Sequence, residues 1–131
     1  MGRVQAGFKI PCHCAAGNHD VGNKPTAQSL KLYREKVGKD YYTVEHKGFT
    51  FVIANTQLWK APLRGESGKH DAWFRDALAN AKERKRPVVV VVHYPLFVED
   101  PDEKESYWNL PVAKRKEIAL REERGGRLRR K

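Results

Sequence analysis

The chain has no long apolar run. The longest uninterrupted one is "VVVVV" at residues 88–92, far short of the roughly 20 residues that a membrane-spanning helix takes. The opening "MGRVQAGFKIP" holds no apolar block of signal-peptide size. Cysteine is nearly absent: only Cys12 and Cys14 occur among 131 residues. Two apart in sequence, they sit too close for a mutual bridge of normal geometry, and nothing else argues for an oxidised compartment. The expectation is a soluble, cytoplasmic chain with no membrane partner.

Acidic residues are also few, which leaves a net charge of +10. Such a surplus raises a nucleic-acid reading, but its distribution weakens that reading. Residues 114–131 carry nine Lys or Arg against three Glu, a net of +6, and the other 113 residues carry only +4. Most of the excess is therefore a C-terminal tail. Like-charge runs are commonly solvated or disordered, although they attract phosphates without specificity.

Enough apolar residues remain, 40%, to build one domain. "FKIPCHCAA", residues 8–16, reads as a strand. "PTAQSLKLYREKVG" reads as a helix, with Thr26 as N-cap, Leu30, Tyr33 and Val37 on one face, and Gly38 as the stop. "YYTVEHKGFTFVIAN" predicts two strands around a turn at His46-Lys47-Gly48. The second of these, Phe49 to Ala54, is apolar enough for burial on both faces. Residues 56–69 read as a loop. "HDAWFRDALANAKERK" is the clearest helix, with Trp73, Phe74, Ala77, Leu78 and Ala81 in one stripe. Val88 to Val92 reads as a buried strand ending at His93. "YPLFVEDPDEKESYWNLP" reads as an acidic, aromatic loop, and "VAKRKEIALREER" has helical composition. The order of elements predicts an α/β or α+β fold, a sheet with covering helices.

Two polar clusters follow apolar strands in this scheme. One is "AAGNHDVGN", which sets Asn18, His19 and Asp20 between Gly17 and Gly22; the other is His93. Ligands of open α/β sheets sit beyond the carboxyl ends of strands, so parallel neighbouring strands would bring the clusters together. Asn oxygen and His nitrogen both suit borderline divalent metals, and a His beside an Asp can serve as a proton donor. Gly, Asn and Asp are equally ordinary turn residues, so the loop alone leaves turn and site open. "CHC" with His19 nearby is a weaker zinc candidate. On a strand His13 points away from the two cysteines, and buried strand cysteines are the simpler reading. His46 and His70 read as surface residues.

Taken together, "GNHD" and "VVVVVHYPLF" resemble the calcineurin-like metallophosphoesterases. The stretch from "GNHDVGNKPTAQ" to "FVIANTQLW", and "HYPLFVEDPDEKESYWNLP" after it, are similar to a subgroup of serine/threonine phosphatases in that family. The likeness covers about residues 10–117. It implies packed β-sheets flanked by helices and two divalent metal ions (Mn, Fe or Zn) at the loop end. It implies that Asn18 and His93 ligate the second metal, and that His19 meets the phosphate and protonates the leaving oxygen, with Asp20 orienting it. A metal-bridging hydroxide would be the nucleophile. Tyr107 and Trp108 would line the substrate cleft or simply pack the loop onto the sheet. The substrate would be a phosphoprotein or a small phosphoester, with no specific nucleic acid.

The family's Asp-x-His, Gly-Asp-x-x-Asp and Gly-His-x-His motifs do not occur in this sequence. The resemblance therefore leads to the expectation of an internal fragment. Residues 1–117 would be a partial phosphoesterase domain, and residues 118–131 a basic tail, disordered or an aberrant C-terminus. At most a partial second-metal site would remain, and the chain would be inactive as it stands. The alternative is a non-catalytic basic module that binds nucleic acid or phosphate.

Overall fold

The computed structural model describes residues 10–125, with side chains in its last helix described through Ala119. Its elements, in chain order, are α1 (Asn18–Val21), α2 (Ala27–Lys36), β1 (Tyr42–His46), β2 (Phe49–Ile53), α3 (Gln57–Lys60), α4 (Ser67–Glu83), β3 (Val88–Val91) and α5 (Val112–Gly125). The three strands form one mixed sheet in the order β1-β2-β3. β1 and β2 are antiparallel, with Val44 opposite Phe51, and β2 and β3 are parallel, with Val52 opposite Val90. This is the expected α/β arrangement, a sheet with flanking helices. No described helix is long and apolar enough to cross a membrane.

Local chemistry accounts for the boundaries. Thr26 caps α2: its hydroxyl accepts from the Ser29 amide at 3.0 Å, and Ser29 Oγ accepts from the Thr26 amide at 2.9 Å. Reciprocal bonding of this kind satisfies two amides that the helix start leaves over. The Ser29 hydroxyl also donates to the Val21 carbonyl at 2.7 Å, which ties α2 to α1. The hairpin turns on Lys47 and Gly48, both at positive φ (49° and 83°), the conformation that suits the twist of a tight hairpin.

Two apolar clusters hold these parts together. Phe74, Leu78 and the half-buried Trp73 and Ala77 of α4 pack on Val52, Ala54, Trp59, Tyr94, Leu110 and Ile118. Ala16, Val21, Leu30, Tyr33 and Leu58 form the second cluster, under α1 and α2. α5 runs without a break past residue 117, and Ile118 on it is buried in the first cluster.

Several expectations need correction. Residues 10–17 have no strand structure, and Cys12 is exposed, so the pair is not a set of buried strand cysteines. β3 is not buried on both faces. It is the end strand of the described sheet, and Val89 and Val91 are 39% and 36% exposed while Val88 and Val90 turn to the core. Phe49 of β2 is exposed as well. Residues 56–69 are not simply a loop, because α3 lies within them and Gln57, Leu58 and Trp59 are buried. His70, expected at the surface, is fully buried.

Candidate functional site

The turn at residues 15–23 is built on Gly17. Asp20 reaches back so that its Oδ2 accepts from the Gly17 amide at 2.9 Å, while the Gly17 carbonyl accepts from the Asp20 and Val21 amides. Asp20 thus braces the turn; its bond goes to the backbone, not to the His19 ring that it was expected to orient. Asn18 is buried beneath the turn, and His19 stands exposed beside it.

His93 arrives from the other side, just past the carboxyl end of β3. The strand end is fixed by two bonds: the Ala54 amide donates to the Val91 carbonyl at 3.1 Å, and the Tyr94 amide donates to the Thr56 side-chain Oγ1 at 3.1 Å. The His93 ring then lies over Gly17. A Cβ on Gly17 would stand 3.0 Å from each of three His93 ring atoms, Cδ2, Cε1 and Nδ1. Any larger residue at 17 would force the ring back by a few tenths of an ångström. In that position His93 Nε2 is 2.9 Å from Asn18 Oδ1. The two residues, 75 positions apart, meet, and they do so with the two atoms that metals prefer from these side chains.

The other end of the Asn18 amide is also held. Nδ2 donates to Asn23 Oδ1 at 3.0 Å and to the Tyr107 hydroxyl at 2.8 Å. Tyr107 and Trp108 are both exposed and stack edge to face at 4.9 Å. Tyr107 therefore turns its hydroxyl onto the site, while Trp108 presents an aromatic face beside it.

Below this edge lies a buried polar layer that sequence reasoning missed. Asn55, Thr56 and Gln57 are fully buried. Gln57 Nε2 donates to the carbonyls of Gly22 and Asn23, which supports the turn from underneath. The Asn55 amide donates to His70 Nε2 at 3.0 Å, and Asn55 Nδ2 donates to Asp40 Oδ2 at 3.0 Å. Arg34 Nε completes the chain by donating to Asp40 Oδ1 at 2.8 Å. Burial among Tyr41, Trp59 and Trp73 pulls the His70 pKa down to about 4, so the ring is neutral near pH 7. The one available signal was "ANTQ" itself, a polar run directly after the apolar β2.

Asn18 Oδ1 and His93 Nε2 fit a borderline divalent ion in kind. They do not fit it in number, since even open catalytic sites commonly hold a zinc by three protein ligands. Among the described residues no group of three His, Cys, Asp or Glu side chains is placed to hold a metal. Asn18 and His93 together supply two donor atoms of the kinds a divalent ion takes.

Comparisons with known proteins give the family. The pattern of the calcineurin-like phosphoesterase family matches residues 2–123. The chain belongs to this family. It is 35% identical over 114 residues to the serine/threonine-protein phosphatase CPPED1 of Homo sapiens, covering 84% of this chain and 36% of that protein. It is 36% identical over 113 residues to the Bos taurus protein of that name, with the same shares covered. Identity to the Danio rerio one is 32% over 122 residues, covering 89% of this chain and 39% of the relative. The chain thus spans little more than a third of the length of these relatives. No solved structure matches it. Metallophosphoesterases generally use divalent metals, as the donor types at this edge suggest.

Proposed function

We propose that the chain carries part of the active edge of a metal-dependent phosphoesterase, and that Asn18 and His93 are the metal-facing pair. The meeting of Asn18 Oδ1 with His93 Nε2 at 2.9 Å supports this reading most directly. His19, exposed one residue from Asn18, is the proposed acid toward the leaving oxygen. Asp20 acts one step back, by holding the Gly17 turn. Trp108 offers an aromatic wall to the substrate, a phosphoprotein or a small phosphoester. The similarity to serine/threonine-protein phosphatases favours the phosphoprotein.

On the same reading, these 131 residues do not turn substrate over alone. The carboxylate that would hold two metals about 3.5–4 Å apart is not supplied, and two neutral donors make a poor site for a hard cation. The test is hydrolysis of p-nitrophenyl phosphate with manganese, iron or zinc added. The chain alone should show no turnover above buffer. A chimera that restores upstream Asp-x-His and Gly-Asp-x-x-Asp motifs and a downstream Gly-His-x-His segment should recover it, then lose it on His19→Ala and on His93→Ala. Chelator-sensitive turnover by the chain alone, abolished by His19→Ala, would mean that unrecognised ligands complete the site.

A further inference from the structure

The acidic loop between β3 and α5 is more firmly held than its exposure suggests. The Glu103 carboxylate accepts from the amides of Val98, Glu99 and Asp100, and also from Asn109 Nδ2. That concentration of donors pulls the Glu103 pKa down to about 2. Asn109, buried, also donates to the Lys104 carbonyl and accepts from the Ser106 amide at 2.8 Å. Lys60 Nζ donates to the carbonyls of Ser106 and Asn109. The buried Arg115 guanidinium of α5 donates to the carbonyls of Pro101, Glu103 and Leu110. Tyr107 thus sits between two residues, Ser106 and Asn109, whose backbones are fastened.

The Tyr107 ring meets the buried Tyr94 edge to face at 6.2 Å, but it is 49% exposed, so burial of the ring does not by itself explain its place. What the loop delivers is one hydroxyl, 2.8 Å from the nitrogen of a buried amide. We propose that Tyr107 is a positioning residue for Asn18. Its phenol oxygen takes one amide hydrogen and Asn23 Oδ1 takes the other, so the nitrogen end is pinned and Oδ1 stays directed at His93 Nε2. A phenol can donate or accept, so Tyr107 fixes where the nitrogen end sits, while Asn23 and His93 together set which end is which. Without the hydroxyl the amide loses one of three anchors, and the Asn18–His93 contact loosens. The catalytic consequence rests on the proposed reading of that pair as metal-facing; the geometry does not.

The test is NMR spectroscopy of the full ¹⁵N-labelled chain, with the Asn18 side-chain amide assigned by its loss in Asn18→Asp. The wild-type Asn18 Nδ2 hydrogens should exchange slowly, and the His93 Nε2 shift should report a bonded nitrogen. Tyr107→Phe keeps the ring and removes only the oxygen. It should speed that exchange by roughly fivefold or more, as expected for loss of one hydrogen bond, and move the His93 signal. Asn23→Ala should resemble Tyr107→Phe, whereas Asn23→Asp, which retains an acceptor, should resemble wild type. The proposal is overturned if the Asn18 and His93 signals of Tyr107→Phe superimpose on those of wild type. It is equally overturned if the changes spread through the loop with a lowered melting temperature, which is what a packing role predicts. The metal reading is tested separately, in the chimera with restored motifs: its metal-dependent turnover should vanish on His93→Ala, and turnover that survives would sink that reading and leave the Tyr107 result to stand or fall by itself.

Discussion

The His93 ring lies against Gly17 so closely that a single methyl group between them would contact three ring atoms at 3.0 Å. The contact joins the turn after residue 16 to the end of β3, and it sets the distance from His93 Nε2 to Asn18 Oδ1. Gly17→Ala should therefore shift the imidazole by a few tenths of an ångström and lengthen the 2.9 Å contact. Overpacking a tight site costs about 1–3 kcal/mol, so a lowered urea midpoint should accompany a shifted His93 Nε2 signal. A variant with unchanged His93 shifts would show that the ring accommodates the methyl elsewhere.

A second prediction concerns acid. His70 is neutral when folded because burial pulls its pKa down to about 4, against 6.5 for an exposed histidine. The unfolded chain then binds an extra proton between those values. Stability from this group is complete above pH 6.5 and is lost as pH falls toward 4. The shift corresponds to roughly 3 kcal/mol. Urea unfolding at pH 7 and at pH 4.5 should register most of that loss. Glu103, with its pKa pulled down to about 2, acts in the opposite part of the scale. Its contribution persists above the ordinary carboxylate value and fades only as pH falls toward 2, so the two windows separate. A stability profile flat between pH 6.5 and 4.5 would remove His70 from the account.

His70 also shows where sequence reasoning stopped. Periodicity revealed what depends on near neighbours: the Thr26 cap, the Phe74–Leu78 stripe, and the hairpin at Lys47-Gly48. Motif chemistry revealed that Asn18 and His93 would meet. It did not reveal the polar layer beneath them, because each link there joins distant residues: Asn55 to His70 and to Asp40, Gln57 to Gly22. An apolar count misleads in the same way at Val88–Val91. Four valines predict burial, yet an end strand of a sheet covered on one side buries only alternate residues. Tyr107 stood out in the acidic loop as a residue of a cleft or of loop packing, but its bond to Asn18, 89 residues away, was not legible.

Arg115 supplies a third prediction. Its guanidinium is buried and satisfies three backbone carbonyls of the acidic loop. Arg115→Met fills similar space and leaves those carbonyls without their charged donor. Bonds to charged groups are worth about 1.5–3 kcal/mol each, and partial rescue by water reduces the sum. A loss of roughly 2–4 kcal/mol in unfolding free energy is expected, together with freer exchange at the Asn18 amide as Tyr107 moves away. If stability falls while the Asn18 exchange stays slow, the loop and the site are uncoupled, and Tyr107 is held by Lys60 and Asn109 alone.

The last prediction follows from the sheet's outer face. β3 is an end strand of the described sheet, paired on one side with β2. On its outward face Val89 is 39% and Val91 36% exposed, and Phe49 of β2 is 43% exposed. Val89 lies opposite the half-buried Phe51 and Val91 opposite the buried Ile53 across the parallel pair. An apolar, unguarded strand edge is a template for pairing with another chain, and a run of valines without charge or proline has the composition of an aggregation-prone segment. The isolated chain should therefore associate as concentration rises, seen as a shift to earlier elution and growing light scattering. Val91→Lys places a charge on the exposed face, the device by which natural edge strands resist pairing. It should restore monomeric behaviour without loss of helical signal, because Val91 does not face the core cluster that contains Val88 and Val90. A wild-type chain that stays monomeric at high concentration, with a sharp cooperative melt, would show that this face does not drive association.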